Sequence, residues 1–531
     1  MQIPSSYRIW QPALLGITVA LGMMAGVRMV PKLGYQYHPT LDTTVVLDQD
    51  DKIEEVLKYI DAKYIDTIHR GELVDETIRS IIDQLDPHSN YLTAKEVALE
   101  AENHEGHYTG IGAEFFFFQD TPIILRTVEA SPAEKAGLAQ GDAILAINGT
   151  NTLEFANQFE KLSDLIRLPL TPDLRIAVRR NKASTVDTVV VVRDLVPSSS
   201  VDHFHMLTTD VGYIRVRQFS METYRQFMDA VEKLVQKQGA KDLVIDLRGN
   251  PGGYLQQVVQ ILSQLFPEKD KLLVYTVSRN GQKREYRSTG QAFFPINRVV
   301  ILIDEGSASA SEILAGAVQD WDRGILVGRR TFGKGLVQKQ FPLGDGSALL
   351  LTIERYYTPL GRLIQKSYSD REAYQHELYD RSQHGELTDA ANIPVLDSTP
   401  YRTPKGKILH ARGGIYPDIF VPVDSFVFND TYQEIASDLY AWMYELARTN
   451  PELITMEQPE QYLNWLHTHN WRNDLSKYLE MKKRWSSAMD PSVERLVIDR
   501  MLYYFRGPDM ANTYSVDHDE CVRKALTALG K

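Results

Sequence analysis

The sequence predicts a multidomain protein, α/β in its middle and α+β elsewhere, and three observations carry that prediction. Between 211 and 321 buried strands alternate with helical periods, from 108 to 194 short strands follow one another with turns, and both flanks have helical periodicity. Length agrees: 531 residues exceed a single core and suggest three or four domains at roughly 150 residues each.

Taken in order, the chain begins with the uncharged run PALLGITVALGMMAGV, 12–27, between Arg8 and Arg28. At about 1.5 Å per residue, Ile9 to Val30 nearly crosses a hydrocarbon core of roughly 30 Å. Residues 1–30 therefore read as a membrane anchor or a signal segment, and the lack of a small-x-small site directly after the run favours the anchor. Either reading places the bulk of the chain outside the cytoplasm. Residues 31–50 are polar, contain Pro and Gly, and read as a tether.

From 51 to 107 the spacings of Ile53, Val56, Leu57, Ile60 and Tyr64, and of Val74, Ile78, Ile81, Ile82 and Leu85, predict a helical region broken at LDPHSNYL by Pro87. Residues 108–195 read as strands, among them FFFF at 115–118 and VDTVVVVR at 186–193. VPSSS, 196–200, reads as a linker. Then VGYIRVRQF alternates as a strand, 223–237 is helical, and DLVIDL ends in the turn RGNPGG. RVVILID is another buried strand, and from Ser309 a helix puts Ile313, Leu314, Ala317, Val318 and Trp321 on one face. Beyond 425 the pattern is helical and rich in aromatics.

Composition excludes some functions. The hydrophobic fraction of 43% and charged fraction of 24% are those of a folded chain, and 58 basic against 70 acidic residues give −12. That balance argues against nucleic acid or an anionic membrane surface as the main partner. The single cysteine, Cys521, excludes an internal disulfide and a cysteine-rich zinc site. HEGH at 104–107 lacks the spacing of a zinc-peptidase HExxH, so no metal site is expected.

The chemistry concentrates in two stretches. DEGSASASE, 304–312, sets small hydroxyl residues between a buried strand and a helix, where free helix amides can stabilise an oxyanion. Taken alone, Ser307, Ser309 or Ser311 reads as a helix cap, with Glu312 completing a capping box from Ser309. A nucleophile would need a base, and none of the 13 histidines lies between 298 and 340. The second stretch, GRRTFGKG at 328–335, offers Lys334. It resembles a phosphate-binding loop but has Gly335 where Ser or Thr is needed, and LVQKQF after it reads as strand, not helix. As a base, Lys334 must be desolvated at a cost of about 4 kcal/mol, and Phe332, Leu336 and Val337 supply an apolar wall. Ser309 and Lys334 together make sense as a dyad; an exposed loop lysine is the alternative.

The segments DLRGNPGG, GSASASEILAGAVQDWDRGILVGRRTFGKGLVQ and YYTPLGRLIQ resemble the carboxy-terminal processing peptidases, or tail-specific proteases, serine–lysine endopeptidases that carry a PDZ domain. The resemblance covers about 50–425. It implies a crotonase-like α/β peptidase core over 196–425 with an insertion at about 367–402 and an inserted PDZ domain of β-sandwich type over 108–195; the helical pattern over 426–531 is an extension beyond it. It makes Ser309 the nucleophile, Lys334 the base and Gln338 its assistant, and marks Glu312 and Asp320 as supporting polar residues. The oxyanion donors are then the amide of Ala310 and that of Gly252 or Gly253, because Gly249 and Pro251 depart from the usual turn. YTGIGAEF resembles the PDZ loop that binds a terminal carboxylate, with Gly110, Ile111, Gly112 and Ala113.

These similarities imply a bacterial envelope endopeptidase, anchored in the inner membrane with its catalytic part in the periplasm, or periplasmic or secreted if the N-terminus is cleaved. No cofactor is expected. The partners are protein or peptide substrates with free C-terminal tails, an adaptor or activator protein, the membrane through the N-terminal segment, and a second copy through the helical extensions. The competing reading is a catalytically latent PDZ scaffold of the envelope.

Overall fold

The computed structural model describes residues 51–155, 158–167, 171–181, 185–479 and 486–531. The expected anchor at 1–30 and tether at 31–50 lie outside them. Among the described residues no helix is long and apolar enough to cross a membrane. The chain forms two units, residues 1–70 and 71–531. In the first, helix α1 (Asp51–Lys63) carries an i,i+4 pair of Glu54 with Lys58 at 2.6 Å and leaves Ile53, Val56 and Tyr59 exposed.

The second unit begins at Gly71, within α2 (Arg70–Ile82), and continues with α3 (Ala94–Glu105). Helix α3 starts where Thr93 and Glu96 form a reciprocal capping box and stops at Gly106, which takes φ 81. Next, His107–Gly110 pairs antiparallel with Asp194–Pro197, closing the neck of a small β module. The expected linker VPSSS is therefore corrected: Val196 is buried and faces Tyr108 across this ladder, because the chain must return beside the strand by which it left.

Within the module, β1 (Ala113–Phe118), β2 (Thr121–Thr127), β3 (Ala143–Ile147), β4 (Asp173–Arg179) and β5 (Val186–Val192) lie in that order, all antiparallel, with α4 (Phe159–Arg167) beside them. The FFFF run splits by strand alternation. Phe115 and Phe117 pack with Ile124, Ile144, Leu162 and Ile166, whereas Phe116 and Phe118 join a different cluster.

The central sheet runs β6 (Val201–Met206), β7 (Val211–Val216), β8 (Asp242–Asp246), β9 (Val299–Ile303), β10 (Gly324–Gly328) and β11 (Ile419–Phe420). Only the first pair is antiparallel. Every residue of β8 and β9 is buried, as a parallel sheet covered on both faces requires. Leu243, Ile245, Ile301 and Ile303 face α5 (Thr223–Val231), α6 (Leu255–Leu265) and α7 (Ala310–Asp320). Each such side chain contributes about 1.5–3 kcal/mol on burial. A second, antiparallel sheet of Asn90–Leu92, Ala348–Tyr357, Lys269–Ser278 and Lys283–Thr289 adds Leu336–Pro342 against Ala348–Tyr357, so LVQKQF is indeed a strand.

The insertion forms α8 (Arg371–Gln383), whose Arg381 donates to the carbonyls of Arg330 at 2.7 Å and Thr331 at 3.2 Å. The C-terminal helices, among them α9 (Asp430–Thr449), α10 (Asp490–Arg506) and α11 (Glu520–Ala528), are built into the protein. Ile435, Leu439, Trp442 and Val497 pack on Phe116, Ile123 and Leu125 of the β module. Cys521, Val522 and Ala525 of α11 cover the second face of the central sheet over Val244, Val300 and Leu302.

Candidate active site

Three turns meet at the carboxyl ends of the central strands: 247–254 after β8, 304–309 between β9 and α7, and 329–335 after β10. Buried hydrogen bonds fasten each to the others. Asp304 accepts the amides of Gly249 at 2.8 Å and Gly306 at 3.0 Å. Asn250, fully buried, accepts at its carbonyl from the Ala308 amide at 2.9 Å and the Ser311 hydroxyl at 3.0 Å. The Ser307 hydroxyl donates to the Leu247 carbonyl at 2.8 Å, and the Phe332 amide to the Ser307 carbonyl at 3.0 Å. Ser307 and Ser311 are thereby committed to the scaffold.

Ser309 stands at the start of α7 with φ 52, left-handed for a residue with a Cβ. Such a conformation costs about 1–3 kcal/mol and persists only when its surroundings impose it. Here the Ser309 amide donates to Glu312 Oε2 at 2.8 Å and the Tyr356 hydroxyl donates to the Ser309 carbonyl at 2.9 Å.

Glu312 does more than cap. Its fully buried carboxylate also accepts the amides of Gly333 at 2.7 Å and Lys334 at 2.8 Å and the Thr331 hydroxyl at 2.5 Å, joining the serine turn to the lysine turn. Burial pushes its pKa up to about 7 against the pull of these four donors. Tyr356 makes a second tie, since its hydroxyl also bonds the Lys334 carbonyl.

Lys334 Nζ donates to Gln338 Oε1 at 2.7 Å, and among the described residues no hydrogen bond joins it to Ser309. Burial lowers the pKa of the ammonium, opposed by the charges of Glu312, Asp86 and Glu100. Gln338 is oriented in turn by donating to the carbonyl of His88. The ring of His88 meets the Tyr374 hydroxyl of α8 at 2.5 Å, and burial, then Lys334, push its pKa down to about 4. LDPHSNYL thus reaches the site through a carbonyl, and Asp86 folds it by accepting the amides of His88 and Ser89, both at 2.9 Å.

Ser309, Ala310, Gly252, Gly253, Lys334 and Gln338 line one cavity of about 520 Å³, with Ile313, Leu336 and Leu350 as apolar wall. Of the two glycines, Gly252 donates its amide to Asn250 Oδ1 at 2.9 Å. A Cβ on Gly252 would lie 2.8 Å from Ser309 Cβ, so only glycine fits there. Asp320 lies at the other end of α7, buried against Arg362 at 2.6 Å and accepting the Leu360 amide at 2.8 Å. It braces the segment that supplies Gln365, whose side chain accepts the Gly335 amide at 2.7 Å. Asn250, Tyr356, Thr331 and His88 escape sequence reasoning about the site; the signal was that Asn250, Thr331 and Tyr356 fall within the motif-bearing segments DLRGNPGG, GRRTFGKG and YYTPLGRLIQ, and His88 within LDPHSNYL.

In the β module the carbonyls of Ile111 and Gly112 turn inward, accepting the amides of Ala133 and Val128, both at 2.8 Å. The amides of Ile111 and Gly112 donate to no partner among the described residues. β1 is an edge strand, and Phe117 meets Phe159 of α4 at 4.7 Å between ring centres. Open amides beside a free edge suit a terminal carboxylate.

Comparison with known proteins agrees with this anatomy. Residues 210–371 match Peptidase family S41 and residues 123–180 match the PDZ domain. The chain is 35% identical over 321 residues to carboxy-terminal processing protease CtpB of Bacillus subtilis, covering 60% of this chain and 65% of that protein. It is 33% identical over 374 residues to a carboxyl-terminal-processing protease of Picosynechococcus, covering 66% and 89%. It is 31% identical over 349 residues to CtpA of Bacillus subtilis, covering 66% and 71%. The chain belongs to the carboxy-terminal processing proteases of peptidase family S41 and is a serine-type peptidase with a PDZ domain.

Proposed function

We propose that this protease cleaves peptide bonds through Ser309 as nucleophile and Lys334 as base, on a crotonase-like core, after its PDZ domain has taken a protein by its C-terminal tail at Gly110–Ala113. The observation that carries the reading is the single cavity holding Ser309 beside a lysine that burial moves toward neutrality. In the reaction, neutral Lys334 takes the proton of Ser309 as Oγ attacks the scissile carbonyl. The ammonium then gives that proton to the leaving amine, and the same lysine activates water against the acyl-enzyme. Gln338 aims the lysine. The oxyanion falls to the amides of Ala310 and Gly253, because that of Gly252 is spent on Asn250.

The bond of Lys334 to Gln338 in place of Ser309 favours a second reading alongside the first: a resting form that substrate or a partner completes. By its N-terminal apolar run, the protein works from the inner membrane into the periplasm; recovery of the full chain in a salt-washed cytoplasmic extract would refute this. The mechanism is tested with a peptide ending in apolar residues. Ser309→Ala and Lys334→Ala should each abolish cleavage while tail binding persists, and undiminished cleavage by either variant would sink the dyad.

A further inference from the structure

Three carboxylates act on Lys334: those of Glu312, Asp86 and Glu100. Two are spent. Glu312 accepts four donors, and Asp86 accepts the amides of His88 and Ser89 and the hydroxyls of Ser89 at 2.6 Å and Thr352 at 3.2 Å. Glu100 is different. It projects from α3 into the cavity that holds Ser309 and Lys334, its Oε2 is buried without a hydrogen-bond partner, and its Oε1 lies 3.7 Å from Nε2 of His104 on the same helix.

The position is held from outside. Glu96 pairs with Arg79 at 2.7 Å, Lys95 with Asp164 of α4 at 3.2 Å, and Glu102 with Arg167 of α4, while the His104 carbonyl accepts the Met221 amide at 2.9 Å. Around Glu100 the other titratable groups are His104 and Glu105 on its own helix, Tyr254 on the glycine turn, whose ring lies 5.0 Å from that of His104, and Lys334. Around Lys334 they are Glu312, Asp86 and His88.

We propose that Glu100 is a positioning residue of the protease: its carboxylate is the counter-charge the substrate cavity presents to Lys334, and it raises the pH above which the lysine can serve as base. This rests on the reading of Lys334 as base. Its pull on the lysine is weaker than those of Glu312 and Asp86, but of the three carboxylates it alone lines the cavity, where a substrate can answer its charge. Glu100 therefore opposes the loss of the Lys334 proton, against the effect of burial, until its charge is answered by a substrate.

The test is the pH profile of kcat/KM for the apolar-tailed peptide with wild type, Glu100→Gln, Glu105→Gln and Lys334→Ala. The acid limb of Glu100→Gln should move about one pH unit lower, and that of Glu105→Gln should stay. Superimposable wild-type and Glu100→Gln profiles, or equal shifts in both variants, would overturn the proposal. Activity remaining in Lys334→Ala would instead overturn the reading of the base. A second measurement needs no turnover. In a Ser309→Ala background, acylation of Lys334 by acetic anhydride, followed by mass spectrometry, should be about tenfold faster with Glu100→Gln at pH below the wild-type midpoint. Equal rates would refute the role of Glu100.

Discussion

On the proposed function the serine turn and the PDZ loop are both backbone sites for an anion, yet they are built in opposite ways. At 304–312 and 329–335 the scaffold's polar groups are paired inward: Glu312 takes four donors, Asn250 ties two turns together, and Tyr356 bridges the carbonyls of Ser309 and Lys334. At 111–112 only two carbonyls are held, and the amides are left open. A loop that binds a finished carboxylate needs accessible donors. A turn that must meet a carbonyl at the moment it becomes an oxyanion needs its donors fixed to within fractions of an ångström, and buried acceptors provide that.

The largest break in this contrast is Glu312→Ala. It strands three amides and a hydroxyl in the interior, so unfolding by denaturant should show a loss of about 3 kcal/mol or more, with no cleavage. Tail binding by the PDZ domain should survive. The neutral isostere Glu312→Gln reads the charge. Because the folded pKa of Glu312, about 7, lies above its ordinary 4.5, its stabilising contribution is complete below pH about 4.5 and is lost as pH rises through 7. Wild type should therefore lose about 3 kcal/mol relative to Glu312→Gln across that window. His88, depressed to about 4, works in the opposite sense in both proteins and cancels in the difference. A flat difference would mean the four donors outweigh burial.

Next in size is Tyr356→Phe, which removes one hydroxyl from two carbonyls and keeps the ring on the cavity wall. We expect kcat to fall roughly 10- to 100-fold with KM nearly unchanged, measured on the same peptide. A change confined to KM would assign Tyr356 to substrate binding.

How much of this was legible in the sequence follows from the same contrast. Period and burial reveal β8, β9 and α7, because their side chains report their own surroundings. Ser309, Lys334 and Gln338 stand in recognisable segments. What holds them does not: Asn250 and Tyr356 act through carbonyls brought from 47 to 61 residues away, and His88 reaches Gln338 across 250 residues. The choice between Gly252 and Gly253 is a matter of amide direction, which side-chain identity does not encode. VPSSS has the composition of a linker, and nothing local says that Val196 pairs with Tyr108. The pattern beyond 425 reads as helices rich in aromatics, but nothing in it says that they pack on Phe116 and Ile123 of the PDZ domain.

On the PDZ side, Gly112→Ala is the matching perturbation. Gly112 takes φ 69, and an added Cβ would sit 2.4 Å from Ser131 Cβ, so the loop must shift and its open amides with it. Tail affinity should drop about tenfold or more, equivalent to roughly 1.4 kcal/mol, whereas turnover of a short peptide with an amidated C-terminus should not change. Loss of both would show that loop and catalytic turns are coupled.

The smallest effect separates binding from support. The Tyr503 hydroxyl of α10 donates to Glu114 Oε2 at 2.6 Å, on the same face of β1 as Phe116. Removing it in Tyr503→Phe should cost about 1 kcal/mol in denaturant unfolding. The helical extension grips the face of the sheet that carries Phe116 and Ile123, while the free edge of β1 and the amides of Ile111 and Gly112 lie elsewhere. Tail affinity measured by titration should therefore stay within twofold of wild type. A larger loss would mean that the extension tunes the binding edge itself, and the PDZ loop would then owe its geometry to distant packing, as the serine turn does.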